Sequence, residues 1–176
     1  KRVVLVAAPH QSGKDEYLMI LIILALDVDV CYLSAKWTMR RIPNPFEKSK
    51  DIDDQGIKWP LGWLQEIIFR KFGAIPVDRK GNSGQYDSVI EELKKRDSFL
   101  LIVTPEGRFD ATRFRTSFLF IAKELNAEVM PVQIDYENEI FNILESFNIE
   151  GDTESVIKNL RLKFDGIKGK KSRFKA

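Results

Sequence analysis

His10 is the only histidine among the 176 residues, and Asp15 follows it five positions later in Ala8-Pro9-His10-Gln11-Ser12-Gly13-Lys14-Asp15. Histidine is the side chain whose ordinary pKa lies nearest neutrality, which makes it the usual proton carrier at physiological pH. A carboxylate that accepts a hydrogen bond from one imidazole nitrogen leaves the other free to take the proton of a hydroxyl, the orienting arrangement of a catalytic dyad. Five residues along a continuous helix turn a side chain by roughly 140°. The pair therefore meets only with His10 on a turn and Asp15 in the first turn of a helix, where unpaired amides favour an acid. A surface histidine beside a capping acid is the alternative.

The same segment half-resembles a phosphate-binding loop, since Gly13-Lys14 lies between an apolar run and a helical stretch. It fails where Ala8 replaces the first glycine and Asp15 replaces the magnesium-binding hydroxyl. Two further constellations are Gly73-Ala74-Ile75-Pro76-Val77-Asp78-Arg79 and Thr104-Pro105-Glu106-Gly107-Arg108. Each sets an arginine just beyond the carboxyl end of a strand candidate, where open α/β sheets collect their ligands. Arginine grips phosphate through two parallel hydrogen bonds, so two of them near His10 make an anion pocket; singly, each is an ordinary surface residue.

These motifs need elements to hold them. Val3–Ala8 is continuously apolar and partly β-branched, as a buried strand is. A helical stretch from Asp15 to about Leu26 and a strand over Val28–Leu33 complete a βαβ pattern. Arg40–Lys58, with two prolines and little periodicity, reads as a loop or ordered flap. Leu61–Phe72 is a helix with Leu64, Ile67, Ile68 and Phe72 on one side; Trp59, Trp63 and Phe69 suit either a core or an interface. Ala74–Val77, Phe99–Thr104, Val129–Ile134 and Glu139–Leu144 read as strands. Tyr86–Arg96, Thr116–Leu125 and Asp152–Phe164 read as helices, the last with Asp152 as N-cap. The architecture expected is a single α/β domain, with a mixed, mainly parallel central sheet flanked by helices, over residues 1–165. A basic tail occupies 166–176.

Composition sets bounds. At 44% hydrophobic and 31% charged residues the chain is an ordinary folded one, and a net charge of +2 gives no global field for nucleic acid. Cys31 is the one cysteine, which excludes an internal disulfide, fits a reducing compartment and, between apolar neighbours, reads as core. Tyr17–Leu26 is about half the length of a spanning helix. The chain opens on Lys1, which leaves a trimmed start and an upstream anchor open. From Arg161 onward seven basic residues face one acid. Such an end is either solvated or held against anionic lipid, at about 1 kcal/mol per basic residue.

The four segments His10–Asp15, Gly73–Arg79, Pro105–Arg108 and Val129–Val132, taken in order, resemble the glycerolipid acyltransferases typified by 1-acylglycerol-3-phosphate acyltransferase, with their HxxxxD motif. Lys36 and Pro60-Leu61-Gly62-Trp63 are similar to the family's run into its second motif. The resemblance implies a glycerol-3-phosphate acyltransferase-like fold. It also implies acyl transfer from acyl-CoA or acyl carrier protein to a hydroxyl of a lysophospholipid or glycerol phosphate, a step of phospholipid biosynthesis. By that resemblance His10 is the general base and Asp15 orients it, while Gly73, Arg79, Glu106, Gly107 and Arg108 bind the acceptor. Val129–Val132 would line the acyl channel. No metal and no cofactor beyond the thioester co-substrate is implied. The resemblance further implies peripheral contact with the inner membrane face, in a cytoplasmic setting. Two departures stand out: Gly13-Lys14 replaces the usual asparagine-tryptophan, and Arg108 follows Gly107 without the usual threonine. Arg113 or Arg115 is the alternative source of the phosphate-binding charge, and a non-phosphorylated acceptor or a catalytically silent lipid- or acyl-carrier-binding relative is the alternative function.

Overall fold

The computed structural model describes residues 1–10, 29–42, 56–77, 86–106 and 114–170. In chain order these form strands β1 (Arg2–Ala8) and β2 (Val30–Ala35), a 3-10 turn (Lys36–Met39), and strands β3 (Arg41–Ile42) and β4 (Ile57–Lys58). Helix α1 (Gly62–Lys71), strand β5 (Ala74–Val77), helix α2 (Asp87–Lys94) and strand β6 (Phe99–Val103) follow. Helix α3 (Ser117–Glu124), strands β7 (Glu128–Asp135) and β8 (Ile140–Ile143) and helix α4 (Thr153–Phe164) complete the order. The class is α/β with mixed, mainly parallel strand pairing, as expected. The chain divides into two compact units, Lys1–Asp29 with Asp97–Ala176, and Val30–Arg96.

In the first unit β1 lies between β6 and β7 and is parallel to both, with Val6 opposite Val103 on one side and Ala8 opposite Gln133 on the other. Every residue of β6 and all of Val4–Ala8 is buried. A strand covered on both faces has no use for alternation, which explains the unbroken apolar runs. β8 closes on β7 antiparallel, Val132 opposite Ile143. Helix α3 buries Phe118, Leu119, Ile121 and Ala122, and α4 buries Val156, Ile157, Leu160 and Phe164. Both sets have the three-to-four spacing of a helix with one apolar stripe. Asp152 caps α4 as expected, its carboxylate accepting from the Ser155 N–H at 2.9 Å. At the described part of the basic end, the Tyr136 N–H donates to the Lys168 carbonyl at 2.9 Å and the Lys168 ammonium pairs with Glu137.

In the second unit β2 and β5 pair in parallel, Tyr32 opposite Ala74 and Ala35 opposite Val77. Cys31 is fully buried in β2, the core position expected of it. The ends of the Arg40–Lys58 stretch are not loop: β3 and β4 form an antiparallel ladder, Arg41 opposite Lys58 and Ile42 opposite Ile57. Residues 43–55 between them lie outside the described residues, as does Asp15–Leu26. Among the described residues no helix is long and apolar enough to cross a membrane.

Helix α1 is attached by its polar side. The Gln65 amide donates to the carbonyls of Thr38 (2.7 Å) and Arg41 (3.1 Å) and accepts from the Trp59 indole at 2.8 Å. Glu66 accepts from Arg40 and, at 3.1 Å, from Arg70. The Arg40 hydrogen bond, helped by Arg70, holds the Glu66 carboxyl below its ordinary range against the opposing effect of burial. Gly62 lies so close to the Arg40 carbonyl that a Cβ would come within 2.5 Å of it.

Candidate active site

The carboxyl ends of β1 and β6 emerge side by side because the two strands are parallel and in register. His10 stands four residues beyond Val6, and Glu106 three beyond Val103, the residue paired with Val6. Both side chains are buried, Glu106 to 2% exposure and His10 to 7%. The His10 backbone N–H donates to Glu106 Oε1 at 3.1 Å. A buried amide needs an acceptor, and beyond the end of a strand the ladder no longer supplies one. Glu106 supplies it and so holds the backbone at His10 beyond the strand end.

The Arg115 N–H donates to the Pro105 carbonyl at 2.7 Å. Phe114 is buried and meets the Phe164 ring of α4 edge to face, centroids 5.7 Å apart, with the Arg161 guanidinium 6.0 Å from its own ring centre. Arg115, one of the two alternative cations named from the sequence, is thereby anchored through its backbone beside the residue preceding Glu106, and it is exposed.

At the third strand end, that of β7, Asp135 is a further buried carboxylate. It accepts from the Glu137 N–H (3.0 Å), the Asn138 N–H (3.2 Å) and the Asn138 side chain (2.8 Å), which turns the chain into β8. The Asn138 side-chain bond, with these backbone bonds and the Lys168 charge, lowers its pKa despite burial. Sequence reasoning passed over Asp135, whose signal is the Asp-x-x-Asn spacing of an aspartate bonding its own turn.

Of the residues singled out from sequence, the structure brings together His10 and Glu106. Gly73 is described in the second unit, where its place follows from the backbone. With φ +83° it turns α1 into β5, a Cβ would fall 2.1 Å from the Val30 carbonyl, and its own carbonyl accepts from the Tyr32 N–H at 3.0 Å. Asp15, Arg79, Gly107, Arg108 and Arg113 lie outside the described residues. Val129 and Val132 are buried in β7. Among the described residues no three His, Cys, Asp or Glu side chains gather as a metal site.

No curated protein and no solved structure matches the chain. A family model does, over residues 57–135, and its description is Acyltransferase. The matched stretch contains Gly73–Arg79, Glu106–Arg108 and Val129–Val132 and begins beyond His10 and Asp15. It supports acyl transfer as the general activity. Over the stretch 57–135, which ends on the strand beside the one that delivers His10, the chain is similar to the Acyltransferase family.

Proposed function

We propose that the chain moves a fatty acyl group from a thioester, acyl-CoA or acyl carrier protein, to a hydroxyl of a lysophospholipid or glycerol phosphate. The observation that carries this is the buried His10, held at a strand end by Glu106 from the matched stretch. His10 takes the proton of the acceptor hydroxyl as its oxygen attacks the thioester carbonyl. The C–S bond breaks, the ester forms, and the departing thiolate takes the proton from the imidazolium. Asp15 orients the ring and stabilises its cationic form. A base so placed contributes typically about 10²–10⁴ in rate.

Arg79 and Arg108 bind the acceptor phosphate, with Gly107 letting the backbone approach and Gly73 shaping the turn before β5. Glu106 serves the acceptor site by holding the histidine. No cofactor beyond the thioester enters this scheme. The lipid acceptor makes peripheral contact with the inner membrane face the natural setting, in phospholipid biosynthesis.

Thiol release from acyl-CoA tests the reading, measured with lysophosphatidic acid, glycerol 3-phosphate and neutral acceptors for wild type and His10→Ala. Acceptor-dependent release that disappears in His10→Ala is expected. Activity surviving that substitution would sink the mechanism. Saturable acyl-CoA binding without turnover on any acceptor would identify a binding protein instead.

A further inference from the structure

Two arginines flank Phe114 beside the site, both in the unit that holds His10. Arg115 follows Phe114 in the chain, and the Arg161 guanidinium lies 6.0 Å from the Phe114 ring centre. The Arg115 N–H is bonded to the carbonyl of Pro105, and the next residue, Glu106, accepts from the His10 N–H. A short series of contacts therefore connects this pair with the end of the sheet that carries the candidate base.

The pair differs from the other described arginines in what answers its charge. Arg40 and Arg70 share Glu66, Arg96 pairs with Glu92, and Arg2 donates to the Leu125 carbonyl. Among the described residues, neither Arg115 nor Arg161 forms an ion pair with a carboxylate. The acids of α4 and its end, Glu154 two turns before Arg161 and Asp165 four residues past it, form none with it. Lys158, one turn before Arg161 on the same side of α4, adds a further positive charge. Between Glu106 and Phe114 the sequence holds Arg108, Asp110 and Arg113, two bases against one acid, so that stretch brings no net negative charge. A half-buried guanidinium such as that of Arg161, without an acid, calls for an anion. Arginine's planar fork matches phosphate through two parallel hydrogen bonds. Phosphate is also the anion that both substrates of the proposed reaction carry: the acceptor as a phosphomonoester, the donor on the pantetheine arm shared by acyl-CoA and acyl carrier protein.

We infer that Arg115 and Arg161 seat a substrate phosphate, separately from Arg79 and Arg108. Neither residue lies in a motif segment of the resemblance. The inference rests on the acyl-transfer reading in one respect, that this reading supplies the phosphate-bearing substrates.

Calorimetric titration of the full chain with glycerol 3-phosphate and, separately, with coenzyme A tests it, with glycerol as the uncharged probe. The variants are Arg115→Gln, Arg161→Gln and Lys123→Gln, the last an equal change of charge at an exposed position of α3. Thermal unfolding checks each fold, and Arg115→Gln, at an exposed position, decides the matter where Arg161→Gln lowers Tm. Each arginine variant is expected to weaken binding of a phosphorylated probe by about tenfold or more, and Lys123→Gln to change neither. Loss on glycerol 3-phosphate assigns the pair to the acceptor phosphate, and loss on coenzyme A to the donor phosphate. Arginine variants that bind both probes as wild type does overturn the inference. So does a Lys123→Gln loss as large as theirs, or a wild type that binds neither probe. Thiol release from acyl-CoA by a protein whose arginine variants bind normally rejects this seat and leaves acyl transfer standing. Arginine-dependent binding without thiol release on any acceptor leaves the seat standing and rejects the catalytic reading.

Discussion

Replacing Glu106 by alanine removes the acceptor of the His10 backbone N–H while leaving the imidazole itself in place. Glu106 is 2% exposed and the bond is 3.1 Å, so water does not readily take over. An N–H left buried without its acceptor costs about 1–3 kcal/mol. For a chain of this size each kcal/mol lowers Tm by about 2–4 °C, which places the expected drop at roughly 2–12 °C. The same loss frees the backbone at His10, and a misplacement of about 1 Å at a reacting group can cost about 10²-fold in rate. Glu106→Gln separates the two properties of the side chain, because its amide oxygen still accepts from the His10 N–H. Calorimetry and thiol release on the three proteins give the answer. Glutamine is expected to stay close to wild type in Tm, and alanine to fall in both Tm and kcat. An alanine variant as stable and as fast as wild type refutes the positioning argument. Glutamine as impaired as alanine refutes it differently, by showing that the charge and not the bond matters.

Gly73→Ala forces a side chain into the left-handed region at φ +83° and a Cβ to 2.1 Å from the Val30 carbonyl, so a loss of at least about 1–3 kcal/mol is expected. A urea midpoint equal to wild type at unchanged slope would show that the turn relaxes freely. For Asp135 the pKa is lowered in the fold, chiefly by the Asn138 side chain. Its contribution to stability is therefore complete above the ordinary value of 3.8 and is lost as pH falls through the lower folded value. Asp135→Asn should reduce stability near neutrality and flatten the acid limb of a stability-against-pH curve; an acid limb identical to wild type counts against the turn bonds.

The strands of the first unit were legible because burial on both faces leaves a mark in residue type. Val3–Ala8 and Phe99–Val103 are apolar without interruption, and no helix of ordinary amphipathic character reads that way. The β3–β4 ladder was not, since two residues a side carry no period and the pairing depends on where residues 43–55 return the chain. The site was half legible. Motif spacing placed Glu106 just beyond a strand end, but its partner is a backbone amide 96 residues away, and an amide has no residue-type signature. Gly73 was legible as a position through the resemblance, and the structure adds a backbone conformation that demands glycine there, which no residue pattern shows.

Helix α1 shows a different limit. Periodicity correctly put Leu64, Ile67, Ile68 and Phe72 on one side, yet the hydrophobic stripe of a helix identifies a shared face and not the direction that face points. Direction is set by what competes for the other side. Here Gln65 finds two carbonyls and an indole, Glu66 finds two arginines, and Gly62 lets the helix backbone close onto the Arg40 carbonyl. The three part-buried hydrogen bonds of Gln65, each worth about 0.5–1.5 kcal/mol net, hold the helix polar side in.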